Sequence, residues 1–469
     1  MFASMENFAL SENISSGCLE GIPFGVENIL RRIGPPETDE IAERNERNRP
    51  KYEVADVFRI YGRDYLSNRG LSERQYKAFY DILNCRTSAM GFHVDQCDGC
   101  GHTAVSYNSC GNRHCPKCQS GDRIRWIADR LRDLLPVPYY HAVFTIPDFM
   151  FKLALFNRRT VYDLLFECSA ATLKQFATNS KWWKLPGDGR QPESIDVDLG
   201  FFSVLHTWGQ TLNFHPHIHT VCAGGGLKSD GVWLSPKYGR KFLFPAKAMS
   251  KVFRGKFIEG LKKVFYGETL KLPGRLEKLS KPRAFETWIG DLVNRDWVVY
   301  CKAPFGDPGQ VVKYVGRYTH RVAIGNHRLE SIENGEVSFK YKDYKDEGAI
   351  KTMTISAEKF IDRFLRHVLP KRFHRLRHYG FLSNGNTEAK KKAGKALRVE
   401  AANLGEAEKN IAENPDFEIF EGYKCPLCEQ GRMTPIIVVD KHGRLLKAEE
   451  SIFKEPSEGS ARREKHDGR

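Results

Sequence analysis

The chain has 469 residues, and its 73 Lys+Arg against 58 Asp+Glu leave a formal net charge of +15. Hydrophobic residues make up 41% and aromatics 12%, enough to build packed cores, which excludes wholesale disorder. No run approaches the roughly 18 uninterrupted apolar residues of a membrane span, and a basic balance favours a polyanionic partner because neutralising phosphates releases counterions.

Along the chain, residues 1–50 are a polar segment with acids where an export signal would carry Lys or Arg, so a cytoplasmic location is expected. Residues 53–84 read as helical, with Val54, Val57, Phe58, Tyr61 and Tyr65 at helical spacing. A cysteine-rich segment follows. An amphipathic helix over 123–136 then carries Ile124, Ile127, Leu131 and Leu134 on one stripe and stops at Pro136. Strands are expected at 139–146, 194–208, 217–224 and 297–303, and helices at 150–178, 245–266, 283–294 and 309–322. That alternation predicts an α+β fold, a central antiparallel sheet with helices on one face in a split βαβ arrangement. Asn334-Gly335 between two alternating runs predicts a hairpin, 351–356 a further strand and 357–370 a helix ended by Pro370. Residues 386–412 read as exposed helix or linker, and the tail from 454 as disordered. The expected domains are the polar segment 1–50, a helical and zinc-ribbon DNA-binding region 51–136, a catalytic core 137–325, its completion 326–385, and a C-terminal region 386–469. No GxxxxGK[ST] occurs, so no P-loop ATPase is expected in this chain.

Five of the 12 cysteines lie between 97 and 118. Cys97/Cys100 and Cys115/Cys118 are two CxxC pairs with fourteen residues between them. Two such knuckles supply the four thiolates that structural zinc prefers, so Zn²⁺ is expected on Cys97, Cys100, Cys115 and Cys118. With four protein ligands that ion has no open position for catalysis. Cys425-Pro-Leu-Cys428 is half a zinc shell with no further cysteine after it, and reads equally well as a tight turn with two thiols.

Phe214-His215-Pro216-His217-Ile218-His219 is the sharpest feature. In a strand, residues i and i+2 share a face and lie roughly 6.5–7 Å apart, so His217 and His219 can grip one divalent ion. If 194–208 and 217–224 form a hairpin, His206 falls opposite one of them and is the expected third ligand, with His215 as the alternative. Downstream, Tyr314 and Tyr318 stand at i and i+4 on one helix face, flanked by Arg317 and Arg321. An isolated YxxxY is ordinarily two core tyrosines, but this one is short, basic and follows a histidine-rich hairpin. A phenol can attack phosphorus if a divalent cation neutralises the phosphate oxygens and the atoms are aligned. Arg317 and Arg321, with Arg375 and Arg377 in the basic run 371–379, are the expected phosphate-binding residues.

These blocks resemble a known family. HTWGQTLNFHPHIHTV resembles the HUH motif of single-strand nicking enzymes, and KYVGRYTHR resembles their paired catalytic tyrosines. CDGCGHTAVSYNSCGNRHCPKCQ followed by LLPVPYYHAVFTIP resembles a zinc-binding N-terminal region, and RFHRLRHYGFLSN a block seen after the tyrosines. Together they are similar to the rolling-circle transposases of bacterial insertion sequences, the insertion-sequence-ninety-one family. The resemblance implies an HUH endonuclease core that nicks one strand at an element end, forms a 5′-phosphotyrosine and transfers single-stranded DNA to a target. It implies that His217 and His219 bind Mg²⁺ or Mn²⁺, although an all-imidazole site by softness suits Zn²⁺ or a later transition metal. It implies that Tyr314 and Tyr318 are the nucleophiles, with Tyr318 favoured where one serves alone. Transposon ends and target DNA would be the partners, with no membrane, and oligomers are compatible with the role. The location would then be nucleoid-associated. A plasmid replication initiator or relaxase with the same chemistry is the nearest alternative, and a non-catalytic zinc-ribbon DNA-binding regulator the more distant one.

Overall fold

The computed structural model describes residues 50–118, 134–185, 192–239, 241–302, 323–383, 385–397 and 423–448. The helix expected over 309–322 and all but the last three residues of that expected over 123–136 lie outside the described residues, as do the polar N-terminal segment up to 49, most of 386–412 and the tail. In chain order the elements begin with α1 (Val54–Asn68), α2 (Glu73–Leu83), β1 (Phe92–Cys97), β2 (Thr103–Tyr107) and β3 (Tyr139–Thr145). They continue with α3 (Phe151–Phe156), α4 (Arg158–Ala177), β4 (Phe201–Trp208), β5 (Phe214–Ala223), α5 (Ala246–Tyr266), α6 (Pro282–Val293) and β6 (Val299–Lys302). Then come β7 (Leu329–Glu333), β8 (Glu336–Asp343), β9 (Ala349–Ser356), α7 (Ala357–Leu365), β10 (Leu376–Tyr379) and α8 (Thr387–Ala396), and finally β11 (Arg432–Val439) and β12 (Leu445–Ala448). The chain divides into two units, one holding 1–50, 84–111 and 420–469, the other 51–83 and 112–419.

The larger unit is built on a five-stranded antiparallel sheet in the order β10-β4-β5-β3-β6. Strand side chains alternate between faces. Tyr140, Ala142 and Phe144 of β3, Phe201 and Leu205 of β4, and Ile218 and Cys222 of β5 therefore share one face, and all are buried. Against them pack Leu165 and Phe166 of α4, Phe253 and Phe257 of α5, and Phe285 and Ile289 of α6. This is the α+β layer arrangement expected. The opposite face is divided. Tyr139, Phe202, Val204, Val221 and Ala223 form a smaller core with Phe381 and with Ala393 of α8. Further along the same face the residues of that parity are histidines.

Local chemistry sets the breaks. The stretch 53–84 is two helices, not one. A capping box between Glu53 and Asp56 opens α1, and Arg69 in extended conformation closes it before Gly70. Phe58 of α1 stacks on Phe79 of α2 at 4.6 Å and meets Phe364 of α7 edge-on at 5.5 Å. The stretch 150–178 breaks at Asn157, whose amide donates to the carbonyls of Leu153 and Lys271 and accepts from the Lys271 amide. Asn334 and Gly335 sit at positive φ, as the two-residue turn between β7 and β8 requires, and β9 completes a three-stranded sheet.

In the smaller unit, β1 lies between β2 and β11, so residues 92–97 pair with a strand more than three hundred positions later. Val94, Ile436, Ile437 and Val439 form its core. Among the described residues, no helix is long and apolar enough to cross a membrane.

Candidate metal centre

The β4–β5 hairpin sets His206 directly opposite His217, and His219 two residues further along the same face. One ligand nitrogen from each of His206, His217 and His219 lies within 4.8 Å of the other two, and all three side chains are shielded from solvent. His217 Nε2 and His219 Nε2 are 3.0 Å apart. The remaining ring nitrogens are held from behind. His217 Nδ1 lies 2.7 Å from the His215 carbonyl, so it carries the proton and Nε2 keeps its lone pair. His219 Nδ1 lies 2.8 Å from His141 Nε2 on the neighbouring strand β3, and the two rings stack with 2° between planes. When His219 donates that hydrogen bond, its Nε2 is likewise left as the ligand atom. Burial keeps these imidazoles neutral. It brings His217 down to about 3 and His141 to about 4, and holds His219 well below the ordinary histidine range, with the neighbouring imidazoles adding to the effect on His217 and His219. Three buried imidazoles whose nitrogens converge are a donor set that fits a divalent cation. His215 is not in the group; its ring packs edge-on against Phe151.

The hairpin is braced at its turn. Residues 209–213 expose three successive carbonyls, and each is taken by a donor from the 326–367 region. Arg328 donates to Gln210, Arg363 to Thr211 at 2.7 Å, and His367 Nε2 to Leu212 at 3.2 Å. Leu212 is held at φ 58° there. Neither this brace nor His141 was apparent in the sequence, because both depend on which strand lies beside which.

Tyr314, Tyr318, Arg317 and Arg321 lie outside the described residues. The chain on either side of them is fixed near the histidines. Lys302, the last described residue before the segment, is the cross-strand partner of His141. Arg328, soon after the chain is described again, is the residue that holds Gln210. The basic run 371–379 was expected as a phosphate-binding surface, yet 376–379 is strand β10, paired with β4 at the edge of the sheet. The guanidinium of Arg377 pairs with Asp163 and lies 4.2 Å from the centre of the Phe166 ring, so its charge is already matched. The Arg375 carbonyl accepts from the Leu205 amide.

The cysteines depart from the expected zinc set. Cys97 and Cys100 gather with Cys425 and Cys428, and that group includes neither Cys115 nor Cys118, which fall in the larger unit. The reason is the β1–β11 pairing, which places the C-terminal knuckle against the first one; spacing along a sequence cannot register so distant a partner.

A transposase zinc-binding domain of the IS91 type matches residues 57–146, and a family described as "Putative transposase" matches 200–391. The "Putative transposase y4qJ" of Sinorhizobium fredii (strain NBRC 101917 / NGR234) is 43% identical over 396 residues, 83% of this chain and 96% of that protein. The chain belongs to the IS91 family of transposases. The transposase for insertion sequence element IS801 of Pseudomonas savastanoi pv. phaseolicola is 27% identical to this transposase over 325 residues, 68% of this chain and 73% of the other. Among solved structures, the conjugative relaxase TrwC with oriT DNA in a copper-bound form aligns at 12% identity and a TM-score of 0.21, covering 38% of this chain and 68% of that one.

Proposed function

We propose that this transposase nicks and rejoins single-stranded DNA at insertion-sequence ends, with Tyr314 or Tyr318 as nucleophile and His206, His217 and His219 as the ligands of a divalent cation. The observation that supports this reading is where the described chain leaves off and resumes around the 303–322 segment. That segment is entered from the strand position facing His141, and the residue bracing the hairpin turn follows it closely.

Bound by the three imidazoles, Mg²⁺ or Mn²⁺ supplies Lewis-acid neutralisation of the scissile phosphate oxygens. The protein's own groups do the rest. The tyrosine oxygen bonds to phosphorus, the bond from phosphorus to the 3′ oxygen breaks, and the phenol proton ends on the freed 3′ hydroxyl. The 5′ phosphate stays on tyrosine as an ester that retains the energy of the broken linkage, so a later hydroxyl can rejoin the strand without ATP. A phenol is nearly all protonated at neutral pH, since its ordinary pKa is about 10, and alignment must therefore supply much of the rate. Two tyrosines four positions apart in the sequence allow two successive transfers. Arg317 and Arg321 hold flanking phosphates.

Incubation of the protein with end-labelled single-stranded oligonucleotides from element ends and Mg²⁺ or Mn²⁺ tests this. A denaturant-stable protein–DNA adduct is expected, lost in the Tyr314→Phe/Tyr318→Phe double variant. His217→Ala should abolish the adduct while leaving most of the DNA binding. Full adduct formation by the double tyrosine variant would refute the assignment.

A further inference from the structure

The C-terminal CxxC was left without a role by the sequence, and the matched zinc-binding domain, 57–146, ends far before it. Within the smaller unit it closes a four-sulfur cage. Cys97 Sγ and Cys428 Sγ are 3.7 Å apart, and Cys100 Sγ and Cys425 Sγ are 3.6 Å apart. Zinc–sulfur bonds of about 2.3 Å in a tetrahedron put the sulfurs about 3.8 Å from one another, whereas a disulfide requires about 2.05 Å. All four sulfurs lie within 4.8 Å of one another.

The backbone around them is arranged for thiolates. The amides of Gly99 and Cys100 point to Cys97 Sγ, that of Leu427 to Cys425 Sγ, and that of Gly431 to Cys428 Sγ. Each knuckle thus has an amide two residues after its first cysteine directed at that cysteine, which offsets negative charge on sulfur. Gly431 has no alternative, because a Cβ there would stand 2.3 Å from Cys97 Sγ. The cage is also held from outside. The Asp98 amide donates to the Arg432 carbonyl, the Arg432 amide donates to the Asp98 carboxylate, and the Asn108 side chain donates to the Val439 carbonyl at 2.6 Å.

We infer that Cys97, Cys100, Cys425 and Cys428 form a structural zinc site, so that the C-terminal segment 423–448 is a required half of the N-terminal zinc module. With four thiolates the ion has no open position, and its role is to lock strand β11 onto β1. The apolar clusters beside the cage are small, Val94, Ile436, Ile437 and Val439 in one and Met433 with Cys97 and Cys425 in the other, and metal binding of this kind supplies on the order of 10 kcal/mol. The inference stands apart from the nicking chemistry.

The test is metal content and spectroscopy on the full chain. Elemental analysis of purified Cys425→Ser/Cys428→Ser should show about one zinc equivalent fewer per chain than the unsubstituted protein. Because that variant also loosens the unit, Cys428→His provides a second reading that keeps a ligand. After cobalt substitution, the visible bands of Cys428→His should move to shorter wavelength with one equivalent still bound. Unchanged zinc in the double serine variant, or an unchanged cobalt spectrum in Cys428→His, overturns the inference.

Discussion

Which nitrogen of each imidazole faces the cation is decided one residue away from the ligands. The His215 carbonyl selects the tautomer of His217, and His141 selects that of His219. Because His215 acts through its backbone, His215→Ala should leave Mn²⁺ affinity within a few-fold. His141→Phe keeps the stacked ring and removes the hydrogen bond; calorimetric titration should find Mn²⁺ bound about 10–100-fold more weakly. Equal affinity in His141→Phe would leave the ligand set without its support. Buried histidines also shape acid stability. Burial lowers His367 to about 3 and His217 to about 3, below the unfolded value of about 6.5. The unfolded chain therefore takes up protons first. This contribution is intact above pH 6.5 and is lost as the pH falls from there toward 3. Melting of metal-free protein followed by circular dichroism should show Tm falling steadily between pH 7 and pH 5; a flat profile would contradict it.

At the scale of elements, the hairpin carrying the ligands is rigid because its turn carbonyls are paired one by one. Removing one charged donor leaves a half-buried carbonyl without its partner, at a cost of about 1.5–3 kcal/mol. Arg363→Ala should lower the urea midpoint accordingly and reduce adduct formation even though residue 363 is not one of the three ligands. An unchanged midpoint would mean that the turn holds its own shape. Much of this architecture was legible in the sequence. Alternation in 194–208 and the run 217–224 marked both strands, which the structure bounds at Phe201–Trp208 and Phe214–Ala223, and the register that set His206 beside the pair followed from one short turn. Asn334-Gly335 announced its hairpin by dihedral need alone. What escaped were pairings between distant segments. Strand β10 hides among arginines and histidines because its edge position relaxes the demand for alternation. The partner of Cys97 and Cys100 stands more than three hundred residues away, and two closer cysteines at suitable spacing competed for the same reading.

For the whole molecule, the central claim is spatial: the histidine ligands on the sheet and the tyrosines of 303–322 serve one phosphate. The claim rests on the chain's path, since Lys302 lies across from His141 and Arg328 reaches the hairpin turn. The net charge of +15 suits a polyanionic substrate but says nothing of where the reacting groups meet. Iron-directed self-cleavage tests the meeting point. Fe²⁺ loaded in place of the native cation, with ascorbate and peroxide, releases radicals that cut nearby backbone, and mass spectrometry maps the cuts. Cuts within both 204–220 and 310–322, lost together in His217→Ala/His219→Ala, are the expected result. Cuts confined to β4 and β5, with none in 303–322, would contradict the account.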